Sequence, residues 1–158
     1  MLRVLPLTTL LLVWAAARAD APIVPLTVCE VLRDLSPLEG KAIAVLGRYS
    51  YRETGRWIGE QTCDPAMPTP PQLMLVEDSK DGPRPPGNFE LDGAALNRKF
   101  ADLQKRTSLG KFRFGTPDYD RWAVIFGRVE ARKGEDTKKS PANLVYRGSG
   151  VVVILTNQ

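Results

Sequence analysis

Histidine is missing from all 158 residues, and cysteine occurs only twice, as Cys29 and Cys63. Without histidine the chain lacks the commonest general base and the usual zinc and copper ligand. The two cysteines stand far apart, so neither a C-x-x-C redox motif nor a thiolate cluster can form. An excess of charge is missing too, with 22 basic side chains set against 18 acidic ones. Such a balance gives little drive toward phosphate backbones or anionic lipid. The sequence implies no metal and no cofactor.

The opening MLRVLPLTTLLLVWAAARADAP holds one cation, Arg3, then an apolar stretch from Val4 to Ala17, then Ala17-Arg18-Ala19. Small residues at the two positions that a signal peptidase inspects make this a secretory signal peptide, residues 1–19, cleaved after Ala19. A membrane anchor is the competing reading. The apolar stretch is shorter than the roughly 20 residues a bilayer requires, and Pro6 interrupts its start. No cysteine follows the small residues, as a bacterial lipoprotein would need. Cleavage leaves 20 basic and 18 acidic side chains on residues 20–158, a length that suits one domain with one core. The expected location is the periplasm or the extracellular space, with no stable membrane span and a monomeric state. In such a compartment a disulfide persists, and an even cysteine count fits a Cys29–Cys63 staple better than two reactive thiols.

Along the chain, TVCEVLRDLSPLEGK spaces Val28, Val31, Leu32 and Leu35 as a short amphipathic helix that stops at Ser36-Pro37. KAIAVLGRYSY follows as a strand with Ile43, Val45, Tyr49 and Tyr51 on one face, and RWIGE is its hairpin partner across Glu53-Thr54-Gly55. The prolines of DPAMPTPP end that strand, and QLMLVEDS supplies a third, well-buried one. After the polar loop DSKDGPRPPGN, a long helix carries Ala95, Leu96, Phe100 and Leu103 on one stripe with Asp92 as N-cap. LGKFRFGTPDYD reads as an irregular connection and RWAVIFGRVEAR as a fourth strand. KGEDTKKSP, around Lys133 to Lys139, reads as a solvated charged insertion, and GSGVVVILTNQ as a last strand, apolar on both faces from Val151 to Leu155.

This order, a short helix followed by β-β-β-α-β-β, predicts a mainly β fold, a five-stranded OB-like Greek-key barrel. AVLGRYSY and VIFGRVEA both place Gly-Arg after three apolar residues, and the first and fourth strands of such barrels are neighbours. Gly47 and Gly127 then mark sharp coiling or bulging. The block VCEVLRDLSPLEGKAIAVLGRYSYRETGRWIGEQTC resembles a group of small exported bacterial OB-fold-like proteins. These open with a Cys-Glu helix, a Gly-Lys turn and a strand ending in Gly-Arg, and place a second Cys after the first hairpin. The resemblance covers about a quarter of the chain and implies the fold and the staple, but no catalytic or binding residue.

Catalysis finds little support. Ser79 with Lys80, or Ser108 with Lys111, could form a Ser-Lys pair, but they lie in loops outside any known motif. The carboxylate pairs Asp118 with Asp120 and Glu135 with Asp136 read as solvated charge, so a hydrolase is the weakest reading. A binding or accessory module is the stronger one. Arg52, Arg56 and Trp57 on the first hairpin, with Lys111, Phe112, Arg113 and Phe114, interleave cations and aromatics as stacking on bases or sugars requires. The competing role for these aromatics is to cover the core. An envelope protein or an oligosaccharide is the partner class expected, and single-stranded nucleic acid the minority alternative.

Overall fold

The structure, a computed structural model, describes residues 21–110 and 118–155. The segment read as a signal peptide and the residues Lys111 to Phe114 lie outside the described residues. The described elements begin with β1 (Leu26–Thr27), α1 (Val28–Arg33) and α2 (Leu35–Leu38). They continue with β2 (Ala42–Arg52), β3 (Gly55–Gly59), β4 (Gln72–Glu77), α3 (Gly93–Arg106), β5 (Tyr119–Ala131) and β6 (Ala142–Ile154).

Five strands close into a barrel. β2 pairs antiparallel with β3, β3 with β4, and β6 with β5, while β4 and β6 run parallel. The ring closes where β2 meets β5, from Ala42 opposite Arg128 to Tyr51 opposite Tyr119. This is the expected OB-like barrel, with the helix between its third and fourth strands. The short β1, parallel to β2 at Val45 and Leu46, is an extra strand that two residues between proline and helix do not announce in sequence.

Alternation along the strands sorts the apolar residues into two cores. Val45, Ile58, Leu73, Leu75, Ala123, Ile125, Val129 and Leu144 fill the barrel, joined by Val28, Val31 and Leu32 of α1. The opposite face of β2 and β5 buries Ala44, Leu46, Trp122, Val124 and Phe126 beneath Leu103, Leu96 and Phe100 of α3. α3 therefore lies on the outer wall, and α1 plugs the barrel. Asp92 caps α3 by accepting from the Ala95 N–H at 2.9 Å.

α1 is only six residues long, too short to hold its shape alone, so it is fixed from several sides. Thr27 and Glu30 form a capping box, and the buried Glu60 carboxylate accepts from the Cys29 N–H at 2.8 Å. Cys29 and Cys63 are joined, with Cα atoms 5.6 Å apart. Closing a chain of this separation stabilises by about 3 to 4 kcal/mol in the chain-entropy model.

Both Gly-Arg glycines sit where a side chain would collide. A Cβ on Gly47 would lie 2.9 Å from Ile58 Cγ1 and 3.2 Å from Val28 Cγ2, between β3 and the α1 plug. At Gly127 it would lie 2.8 Å from Leu144 Cγ and from the Val145 carbonyl oxygen. Gly127 also borders a register shift, where Phe126 alone stands opposite the four residues Arg147–Gly150 of β6.

Three expectations need correction. The last strand begins at Ala142, not Gly148, so the charged connection is a tighter loop that carries a 3-10 turn over Gly134–Lys138, held by an Arg132–Asp136 ion pair. The run from Val151 is not buried on both faces, since Val152, Val153 and Leu155 are exposed. Its apolar composition suggested a covered strand, but β4 ends opposite Tyr146, and among the described residues Val151–Ile154 pair only with β5. The third strand is likewise buried on one face only, through Leu73 and Leu75, while Val76 is exposed.

Gly47→Ala should destabilise the fold by about 1 to 3 kcal/mol, the usual cost of overpacking. Urea unfolding measures it, and an unchanged midpoint would contradict the close packing of α1 against β2 and β3.

Candidate functional site

Antiparallel pairing of β2 with β5 sets the end of one strand beside the start of the other, and this brings tyrosines together. Tyr49 and Tyr51 on β2 face the barrel axis, as do Tyr119 on β5 and Tyr146 on β6. These four are all the tyrosines in the chain. Tyr51 stacks on Tyr119 with ring planes 3° apart and centroids at 5.3 Å, and Tyr49 lies tilted 5.8 Å from Tyr119.

Two guanidinium groups join them. Arg56, opposite Tyr51 across the first hairpin, holds its guanidinium carbon 5.0 Å from the Tyr51 ring centre, and that of Arg121 is 5.9 Å from the Tyr119 ring centre. Arg56 also donates to Glu77 at 3.0 Å and interacts with the Tyr146 phenol. The group is therefore a connected set of aromatic rings, cations and one carboxylate at the end of the barrel away from α1. This end is open to solvent: Arg56 and Glu77 side chains are 39% and 50% exposed, and Val153, whose face turns inward, is 44% exposed.

Two phenols and one guanidinium at the mouth hold their protons more firmly than usual. Burial, reinforced by a hydrogen bond with Tyr119, pushes the Tyr49 phenol well above its ordinary range. Burial also raises Tyr146, although the bond from Arg56 opposes it. Hydrogen bonding to Tyr146 strengthens the hold of Arg56 on its proton. At neutral pH Tyr49 and Tyr146 are therefore neutral phenols beside the charged Arg56.

The hairpin residues singled out from the sequence divide between two faces. Arg56 points into the mouth. Trp57, its neighbour, points out of the barrel, half-buried beside Met74, and belongs to neither core. Arg52 is also on the outer face, where it braces the barrel: it donates to the carbonyls of Tyr51 and Tyr119 at 2.8 Å each and to Asp120 at 2.8 Å.

Asp120, expected to be solvated, has a side chain only 2% exposed. Burial alone would raise its carboxyl, but the Ser50 hydroxyl at 2.6 Å, the Gly110 N–H at 2.7 Å and Arg52 together hold it below the usual carboxylate range. Asp118 is exposed. Ser79 and Lys80 are exposed, Glu135 and Asp136 lie on the 3-10 turn, and none of them joins the mouth. The described flanks of the Lys111–Phe114 segment meet at Asp120, through the Gly110 bond.

The tyrosine group went unrecognised in the sequence, though its signal was present: Tyr49 and Tyr51 end one strand, and Tyr119 precedes the next antiparallel neighbour. No family model, curated protein or solved structure matches this chain. Among the described residues, no group of three or more acidic or cysteine side chains could hold a metal ion, and no helix is long and apolar enough to cross a membrane.

Because the Asp120 carboxyl is lowered in the folded state, its contribution to stability is present above the unfolded value near pH 4 and is lost as pH falls through the folded value. Asp120→Asn should lower stability at pH 7 and flatten the acid limb of a stability-against-pH curve. Arg52→Ala, which strands the buried carboxylate, should cost about 2 to 3 kcal/mol at pH 7, less than a fully buried pair because Arg52 is 30% exposed. Parallel acid limbs for wild type and Asp120→Asn would contradict this assignment.

Proposed function

We propose that this chain is an exported binding module without catalytic chemistry of its own, that it works as a monomer in the periplasm or outside the cell, and that it takes an oligosaccharide at the barrel mouth. The observation that carries the reading is the convergence of all four tyrosines with Arg56, Arg121 and Glu77 on one open end.

Phenols offer a flat apolar body and a hydroxyl that both donates and accepts, which matches the alternating C–H faces and hydroxyls of a sugar. Glu77 supplies an acceptor and the guanidiniums supply donors, so a polyol finds both kinds of partner. Oligosaccharide binding also suits the charge: 20 basic against 18 acidic side chains after cleavage leave little field for a polyanion. Nucleic acid is the less favoured ligand for the same reason, although stacking on tyrosine would serve it too. The resemblance to small exported OB-fold-like proteins agrees with a secreted barrel and names no ligand.

The test is an NMR titration of the mature protein with tetra-N-acetylchitotetraose and, separately, with an oligothymidylate. Saturable shifts on the four tyrosines with the sugar, weakened at least tenfold in Arg56→Ala, about 1.4 kcal/mol, are expected. Binding of the oligothymidylate that weakens steeply with salt would replace the oligosaccharide by nucleic acid. Shifts at the mouth with neither ligand would overturn the reading.

A further inference from the structure

At the other end of the barrel, a cleft of about 570 Å³ separates α1 from α3. Its volume falls within the roughly 300 to 1,000 Å³ usual for small-molecule sites. Its lining is strongly charged, and most of that charge is already matched. Lys99 holds Glu30 at 2.6 Å, and Arg106 bridges the buried Glu60 and Asp102 at 3.1 Å each.

Three charges in the cleft are left over. Among the described residues, Arg33, the last residue of α1, donates only to the main-chain oxygen of Asp64 at 2.9 Å. Arg98 of α3 and the Asp64 carboxylate have no hydrogen bond or ion pair among the described residues, and both line the cleft. The staple fixes this set: Asp64 follows Cys63, whose partner Cys29 also lines the cleft, so α1 and Asp64 cannot drift apart.

We infer that this cleft is a second binding site, for an acidic amino acid or for an acidic residue at the amino end of a peptide. Two guanidiniums on facing helices complement two carboxylates, and the Asp64 carboxylate complements one ammonium. A dicarboxylic amino acid carries that set of charges, and no smaller common ion does. The site is independent of the barrel mouth and involves no bond-making step.

Calorimetric titrations at low ionic strength with L-glutamate, with the dipeptide Glu-Ala and with glutarate test the inference. Saturable one-to-one binding of glutamate or Glu-Ala is expected, at least fivefold tighter than glutarate, which lacks the ammonium. Arg33→Ala and Arg98→Ala should each weaken binding at least fivefold, while Arg84→Ala, an exposed arginine outside the cleft, should not. Asp64→Asn should erase the preference over glutarate. A preference for Glu-Ala identifies a peptide end, and equal affinity identifies the free amino acid. Absence of saturable binding by glutamate and Glu-Ala, or affinities unmoved by Arg33→Ala and Arg98→Ala, would overturn it. All four positions are exposed, so circular dichroism of each variant confirms that a loss is not unfolding.

Discussion

β5 is shared by two neighbours, and that sharing makes the barrel. Its 13 residues pair with β2 on one side and with β6 on the other, and without the β2–β5 seam the sheet would be open. A closed ring leaves few unpaired backbone groups and separates an inside from an outside. Every later feature follows from which side of the seam a residue occupies. Odd-numbered positions of β2 and β5 turn inward and give the interior core and the tyrosines, while even-numbered ones turn outward to α3 and to the Ser50–Asp120–Arg52 brace.

The two ends of the barrel are finished by different physics. At one end the apolar face of α1 is driven in, and the helix is pinned by a disulfide, a capping box and a buried carboxylate. At the other, no helix among the described residues covers the interior, and amphipathic tyrosines take up the transition from dry core to water. A tyrosine ring buries apolar area while its hydroxyl remains able to bond, so such an end is stable without being closed. The proposed ligand at this mouth would use groups already held in place by Arg56, Glu77 and the stacked rings, at little further ordering cost.

Much of the fold was legible because the local signals agreed with one another. The period of two in β2, the Asp92 cap, the hairpin turn at Gly55 and the repeated Gly-Arg each pointed to the element that forms, and the repeat correctly joined β2 to β5. What stayed hidden was what depends on length and register. Composition could not tell that β4 stops opposite Tyr146 and leaves Val152 and Val153 exposed. Nor could it tell that Asp120, adjacent to loop residues, is drawn into a buried bond with Ser50 seventy positions earlier. The candidate site was half legible: Arg56 was found, but its neighbours Trp57 and Arg52 turn to the other face of the strand, and its true companions are tyrosines from β2, β5 and β6.

The seam and the mouth stand or fall together, and solution NMR reads both at once. Nuclear Overhauser contacts between the Tyr51 and Tyr119 rings, with further contacts from Arg56 to Tyr51, are what the closed barrel with its stacked mouth predicts. Tyr51 and Tyr119 rings that share no contacts and show the shifts of independent, solvent-exposed tyrosines would contradict it.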